Sequence, residues 1–227
     1  MPGDWYVESL ELRNFRCFEN ITVEFDPQLT VLVGVNGTGK TALLDGAAVM
    51  LSTILREFGA KARGFVSSDA RLVAHDLQSK ESVARLEPQY PVSSTMKATL
   101  AGAPYWWRRE RSRPSGRTTW GEKNSEVGRW IRGVWESSNQ QPLAAPLLPL
   151  IGLYGVERVM SRKAGEEIAR SRSGAYEAAL DAASDLSRLS KYIRALTFDA
   201  FTASTRGEDA ATASRGQLAA IRAATNQ

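Results

Sequence analysis

The stretch Gly34-Val35-Asn36-Gly37-Thr38-Gly39-Lys40-Thr41 satisfies the pattern G-x-x-x-x-G-K-[ST] at every defined position. Glycines at 34, 37 and 39 let the backbone turn tightly and bring its N–H groups against phosphate oxygens, where a Cβ would obstruct. The Lys40 ammonium suits the gap between the β and γ phosphates of a nucleoside triphosphate. The Thr41 hydroxyl suits a Mg²⁺ bridging those phosphates. The stretch reads as an anion cradle with a cation site.

Its flanks support that reading. Leu29-Thr30-Val31-Leu32-Val33 is a short β-rich run, and it predicts a buried parallel strand leading into the loop. After Thr41, apolar residues at 43, 44, 47, 48, 50, 51, 54, 55 and 58 predict a helix with a broad buried face, ending at Gly59.

The remaining totals exclude more than they assign. A chain of 227 residues supports a real core, and a net charge of +4 permits a nucleic-acid partner without arguing for one. One cysteine, Cys17, removes an internal disulfide framework and fits a reducing compartment. One histidine, His75, argues against a histidine metal site or a Ser-His triad and is expected on the surface or in a loop. No apolar run approaches membrane-spanning length, so the expectation is a cytoplasmic protein with no membrane partner.

Upstream of the loop, Ile21, Val23 and Phe25 alternate with Thr22 and Glu24, the signature of a half-buried strand. Two strands are thus expected before the loop strand. This order, with Leu10-Glu11-Leu12-Arg13-Asn14-Phe15-Arg16-Cys17-Phe18 and the phosphate loop, resembles the N-terminal lobe of ABC-type ATPases of the RecF, SMC and OLD group. The resemblance implies an α/β P-loop NTPase fold of ABC type, with an antiparallel β subdomain and C-terminal helices. ATP and Mg²⁺ would be its ligands, with Thr41 on the metal. It further implies that Arg16 and Asn36 join Gly37, Thr38, Gly39, Lys40 and Thr41 in binding nucleotide. On the residues alone, Arg16 also fits a solvated arginine after a strand.

Residues 60–141 predict a β subdomain with a helix. Met96, Ala98 and Leu100 alternate, Ala101-Gly102-Ala103-Pro104 reads as a hairpin turn into Tyr105-Trp106-Trp107, and Val127, Trp130, Ile131, Val134 and Trp135 have helical spacing. Arg108, Arg109 and Arg111 lie among these tryptophans and are candidates for a nucleic-acid contact by charge and stacking. The alternative is a solvated hairpin with its tryptophans in a small core. Leu150-Ile151-Gly152-Leu153-Tyr154 predicts a second core strand, and Arg158 beyond it is a candidate nucleotide or interface contact. Together with Tyr90-Pro91-Val92, Trp107-Arg108 and Gly116-Arg117-Thr118-Thr119, this strand entering Tyr-Gly-x-x-Arg is similar to a bacterial branch of these ATPases. That branch includes ATPases of antiphage systems such as Septu and retron-associated modules.

The expected organisation is an ATPase head over 1–59 and 142–173, interrupted by the 60–141 subdomain and followed by a helical segment over 174–227. A hydrolysing head also needs an apolar strand ending in Asp-Glu and a signature helix. Leu196-Thr197-Phe198-Asp199 lacks both the apolar run and the second acid, and Ser214-Arg215-Gly216-Gln217 only superficially resembles the signature. The catalytic residues are therefore unassigned, and the chain is expected to be the N-terminal portion of a longer protein. The resemblance implies dimerisation or higher assembly through the heads, and a nuclease effector or nucleic acid as partner. Two alternatives stand beside it: a nucleotide-stabilised scaffold without turnover, and a single-stranded nucleic-acid binder acting through the arginine and tryptophan hairpin.

Overall fold

A computed structural model describes residues 5–60, 62–75, 85–120, 122–140, 148–154, 176 and 179–180. The chain divides into two compact units, Met1–Gly152 and Leu153–Gln227. Within the first, strands β1 (Trp5–Phe15) and β2 (Phe18–Glu24) precede helix α1 (Lys40–Glu57). A 3₁₀ turn (Ser67–Asp69) and strands β3 (Leu72–His75), β4 (Arg85–Pro88), β5 (Val92–Leu100), β6 (Ala103–Arg111) and β7 (Thr119–Trp120) follow, then helix α2 (Glu122–Gln140).

The main sheet has the order β2-β1-β5-β6-β7, every pairing antiparallel, and β3 pairs with β4 in a separate ribbon. Strands from both sides of residue 59 therefore share one sheet, since β1 hydrogen-bonds to β5. Strand β2 keeps the expected alternation, with Ile21 and Val23 half-buried and Thr22 and Glu24 exposed. The hairpin between β5 and β6 turns on Ala101 (φ 48°) and Gly102 (φ 80°), the positive pair that suits the twist of the flanking strands.

One face of the sheet carries the core. Residues directly opposite in an antiparallel pair point to the same side. Leu12, Ser94 and Arg109 are therefore in line, as are Leu10, Met96 and Trp107. A register shift between Val7 and Ser9 changes the parity of β1, so Trp5 and Val7 share the face of Leu10 and Leu12. Simple alternation along β1 would have put one of these pairs outside.

Helix α1 lies on this face. A Cβ at Gly46 would sit 2.7 Å from Leu12 Cδ2, so the glycine permits the close approach of helix and strand. Trp107, fully buried, donates its indole N–H to the Met50 carbonyl of α1 at 3.1 Å. Helix α2 closes the layer through ring contacts of Trp130 with Trp5 (5.7 Å) and Tyr105 (4.9 Å), and of Trp135 with Phe58 (5.1 Å). Arg132 bonds Glu57 at the end of α1 through Nε (2.9 Å) and Nη2 (2.8 Å).

Two sequence expectations are corrected. Residues 25–35 form no strand, and Leu29, Val31, Val33 (90% exposed) and Val35 all face outward. Residues 148–154 likewise form no strand, with Leu150 and Tyr154 exposed. The physical reason is the same in both cases: a parallel core strand exists only between hydrogen-bonded neighbours, and no described strand pairs with either run. His75, expected on the surface or in a loop, lies at the end of β3. In the second unit the Leu153 N–H donates to the Ala179 carbonyl at 2.6 Å. The expected helices over 174–227 lie otherwise outside the described residues.

The burial of neighbouring tryptophans gives a direct test. Trp107→Ala is expected to cost about 3–5 kcal/mol of unfolding free energy through a core cavity. Trp106→Ala, on the other face and 45% exposed, should cost less than about 1.5 kcal/mol. Urea denaturation of the two variants measures both, and equal losses would refute the assignment of faces.

Candidate nucleotide site

The phosphate loop runs from Gly34 into α1, and its turn depends on two left-handed glycines, Gly37 (φ 88°) and Gly39 (φ 94°). Gly39 is the residue that caps α1, and the Leu43 N–H donates to its carbonyl at 2.9 Å. A side chain at Gly39 would strike the Phe18 ring and lie 2.7 Å from Cys17 Sγ, so the β1–β2 turn presses directly on the loop. At Gly37 a Cβ would meet nothing within 4 Å, and only the backbone conformation disfavours it.

The start of α1 is built to receive an anion. No side chain caps it and no acidic residue occupies its first turn, so its free N–H groups and the positive end of the helix dipole are left for a ligand. Thr38 Oγ1 donates to the Val35 carbonyl at 2.9 Å and braces the turn. Lys40 Nζ donates to the carbonyls of Gly34 and Val35, both at 2.7 Å, which folds the ammonium back over its own loop. Asn36 and Thr41 are exposed at the same end of the helix.

Arg16 follows β1 at φ 52°. Its Nη1 meets Asp45 Oδ2 of α1 at 2.6 Å, and its Nε meets Asp69 Oδ1 of the 3₁₀ turn at 3.0 Å. Burial pushes its pKa down, but the hydrogen bonds to Asp45 and Asp69 and the two negative charges outweigh this and raise it. Asp45 Oδ1 also takes Arg63 Nη2 at 2.9 Å, so one carboxylate joins two arginines from different segments. The backbone repeats the link: Arg16 N–H donates to the Asp69 carbonyl (2.7 Å) and Arg71 N–H to that of Asn14 (3.0 Å). Arg16 thus sits beside the first turns of α1, held by carboxylates. Asp45, Arg63 and Asp69 had no sequence motif to announce them, since Asp45 and Asp69 lie 29 and 53 residues from Arg16 and Arg63 lies 18 residues from Asp45.

The hairpin arginines do not share a surface. Arg109 is 2% exposed on the helix-facing side, its Nη1 close to the Val49 carbonyl (2.5 Å), the Ser52 hydroxyl (2.8 Å) and the Arg63 carbonyl (2.6 Å). This corrects its candidacy as a nucleic-acid contact, because alternation along β6 turns it into the core. Arg111, on the same side, donates to the carbonyls of Phe65 (2.9 Å) and Pro114. Arg108, on the opposite face, pairs with Glu110 at 3.0 Å and donates to Ser93 Oγ at 3.1 Å. The side chain of Trp120, Arg158, and the sequences at 196–199 and 214–217 lie outside the described residues.

The residues present fit a nucleoside triphosphate with its magnesium. The uncapped helix start and its two left-handed glycines would hold the phosphates, Lys40 would exchange loop carbonyls for phosphate oxygens, and Thr41 would ligate the metal. Among the described residues no cluster of three or more His, Cys, Asp or Glu could hold a metal by itself. None of the described helices is long and apolar enough to cross a membrane.

The DNA replication and repair protein RecF of Ligilactobacillus salivarius is 49% identical over 45 residues, 20% of this chain and 12% of that protein. RecF of Lachnoclostridium phytofermentans is 38% identical over 80 residues, 35% of this chain and 19% of that protein. The match thus spans less than a fifth of the length of these relatives. Among solved structures, one from a study of ATP-driven dimerization and DNA-stimulated activation of SMC ATPases aligns at TM-score 0.37 and 18% identity, over 63% of this chain and 86% of that one. The family model described as AAA domain matches residues 9–216, and the chain belongs to that family, with the phosphate-loop α/β fold of an ABC-type ATPase.

Proposed function

We propose that the chain binds Mg-ATP at residues 36–41 and forms part of an ABC-type ATPase head. The observation that carries this reading is the loop itself: two left-handed glycines deliver an uncapped helix start, with the Lys40 ammonium on the Gly34 and Val35 carbonyls. Arg16 would reach the phosphates by leaving its carboxylate partners, Asn36 would stand by the γ-phosphate, and Thr41 would hold Mg²⁺. Hydrolysis would require an acid to orient the attacking water. Head-to-head dimerisation, with turnover gating a nuclease or nucleic-acid partner in a bacterial antiphage system, is the cellular role that fits the sequence resemblance.

Titration calorimetry tests the binding. Mg-ATP at a hundredfold excess over its dissociation constant should stabilise the chain by about 2.7 kcal/mol. Lys40→Ala removes charge-assisted bonds to the phosphates and should weaken affinity by about 10- to 100-fold. Unchanged affinity would remove the assignment.

The glycines of the loop separate strain from contact. Gly37→Ala should cost about 1–2 kcal/mol from its left-handed conformation alone. Gly39→Ala adds a clash with Phe18 and should cost at least about 1 kcal/mol more. Denaturant unfolding of both variants gives the comparison, and a milder effect at position 39 would contradict the packing of the β1–β2 turn on the loop.

A further inference from the structure

A second basic feature lies away from the phosphate loop. A cavity of about 490 Å³ opens between the segment after α1 and the end of the β6–β7 hairpin. Arg56, Arg63, Arg109, Arg111 and Arg117 line it together with Thr118, and no aspartate or glutamate is among its described lining residues. Arg56 is sixteen residues beyond Lys40 on α1, about 24 Å along the helix axis. That end of the cavity is remote from the nucleotide cradle, while Arg63 ties its other side to Asp45 in the second turn of α1.

Carboxylates offset part of its charge, since Arg56 Nε lies 3.9 Å from Glu57 Oε1. Arg63 shares its carboxylate, Asp45, with Arg16. Arg111 donates to neutral carbonyls, and its buried Nε has no hydrogen-bond acceptor among the described residues. The Arg109 bonds to Val49, Ser52 and Arg63 are likewise to neutral oxygens. Burial, and then the like charge of Arg56, lower the Arg109 pKa to about 10. Arg117 is exposed at the mouth.

The walls are also held in place. Thr118 Oγ1 accepts the Phe65 N–H at 2.7 Å, tying the two lining segments together. A Cβ at Gly64 would come within 2.8 Å of that hydroxyl, so glycine allows the approach. Guanidinium groups on fixed walls suit the paired oxygens of a phosphoryl group better than those of a point anion.

We propose that this cavity is a second oxyanion site, which holds the phosphoryl oxygens of a small polyphosphate or of a nucleic-acid backbone. Its volume admits more than one phosphoryl group. Arg117, exposed at the mouth, meets the ligand.

The test uses the full chain carrying Lys40→Ala, which weakens the phosphate loop and leaves the cavity intact. Inorganic pyrophosphate should bind this variant in titration calorimetry, and adding Arg117→Glu should weaken binding by roughly tenfold or more. Lys97→Glu makes the same charge change on the other face of the sheet and should leave affinity within about twofold, since exposed charges far apart are screened. A short oligothymidylate that displaces pyrophosphate from the Lys40→Ala chain, with the same sensitivity to Arg117→Glu, assigns the phosphate source to nucleic acid. Failure to displace assigns it to a small ligand. Absence of pyrophosphate and oligothymidylate binding to the Lys40→Ala chain, or equal losses in the Arg117 and Lys97 variants, would overturn the proposal. Failure of ATP to bind the unmutated chain would instead count against the nucleotide assignment and leave this one standing.

Discussion

The seating of α1 on the sheet is the constraint on which the rest of the first unit depends. Leu12 and Gly46 meet without an intervening side chain, and Trp107 and Arg109 reach from β6 to the Met50 and Val49 carbonyls. These contacts fix the helix along its length. Its N-terminus is then aimed by the β1–β2 turn, where Cys17 and Phe18 crowd Gly39. The loop geometry follows from where the helix is forced to begin, not from the loop residues alone.

Arg109 shows how strongly this packing is enforced. A guanidinium buried among carbonyl and hydroxyl oxygens is costly unless its donors are satisfied. Here three oxygens from α1 and the segment after it surround Nη1. The residue holds together the helix, the following loop and β6, three pieces distant in sequence. The same face turns Arg111 inward and leaves Arg108 with Glu110 on the outside. What looks in sequence like one basic patch is divided by the two-residue period of the strand.

Charge plays a parallel part at the other end of α1. Asp45 draws Arg16 and Arg63 together, and Asp69 holds Arg16 from the opposite side. The chain after β1 is thereby tied to the helix that opens on the phosphate loop.

Local sequence determined the phosphate loop, helix α1, the alternation in β2 and β5, the hairpin at Ala101 and Gly102, and the spacing of α2. Each rests on a short-range rule: glycine conformation, strand period or helix period. Tertiary structure alone decided which arginines are buried, the parity change in β1, and the carboxylates that hold Arg16. It also decided that residues 29–33 and 150–154, despite their β-rich composition, lie outside any described strand. A propensity describes what a segment can form, whereas a strand exists only when another segment supplies the hydrogen bonds, and an arginine is buried or exposed according to what covers its side of the sheet.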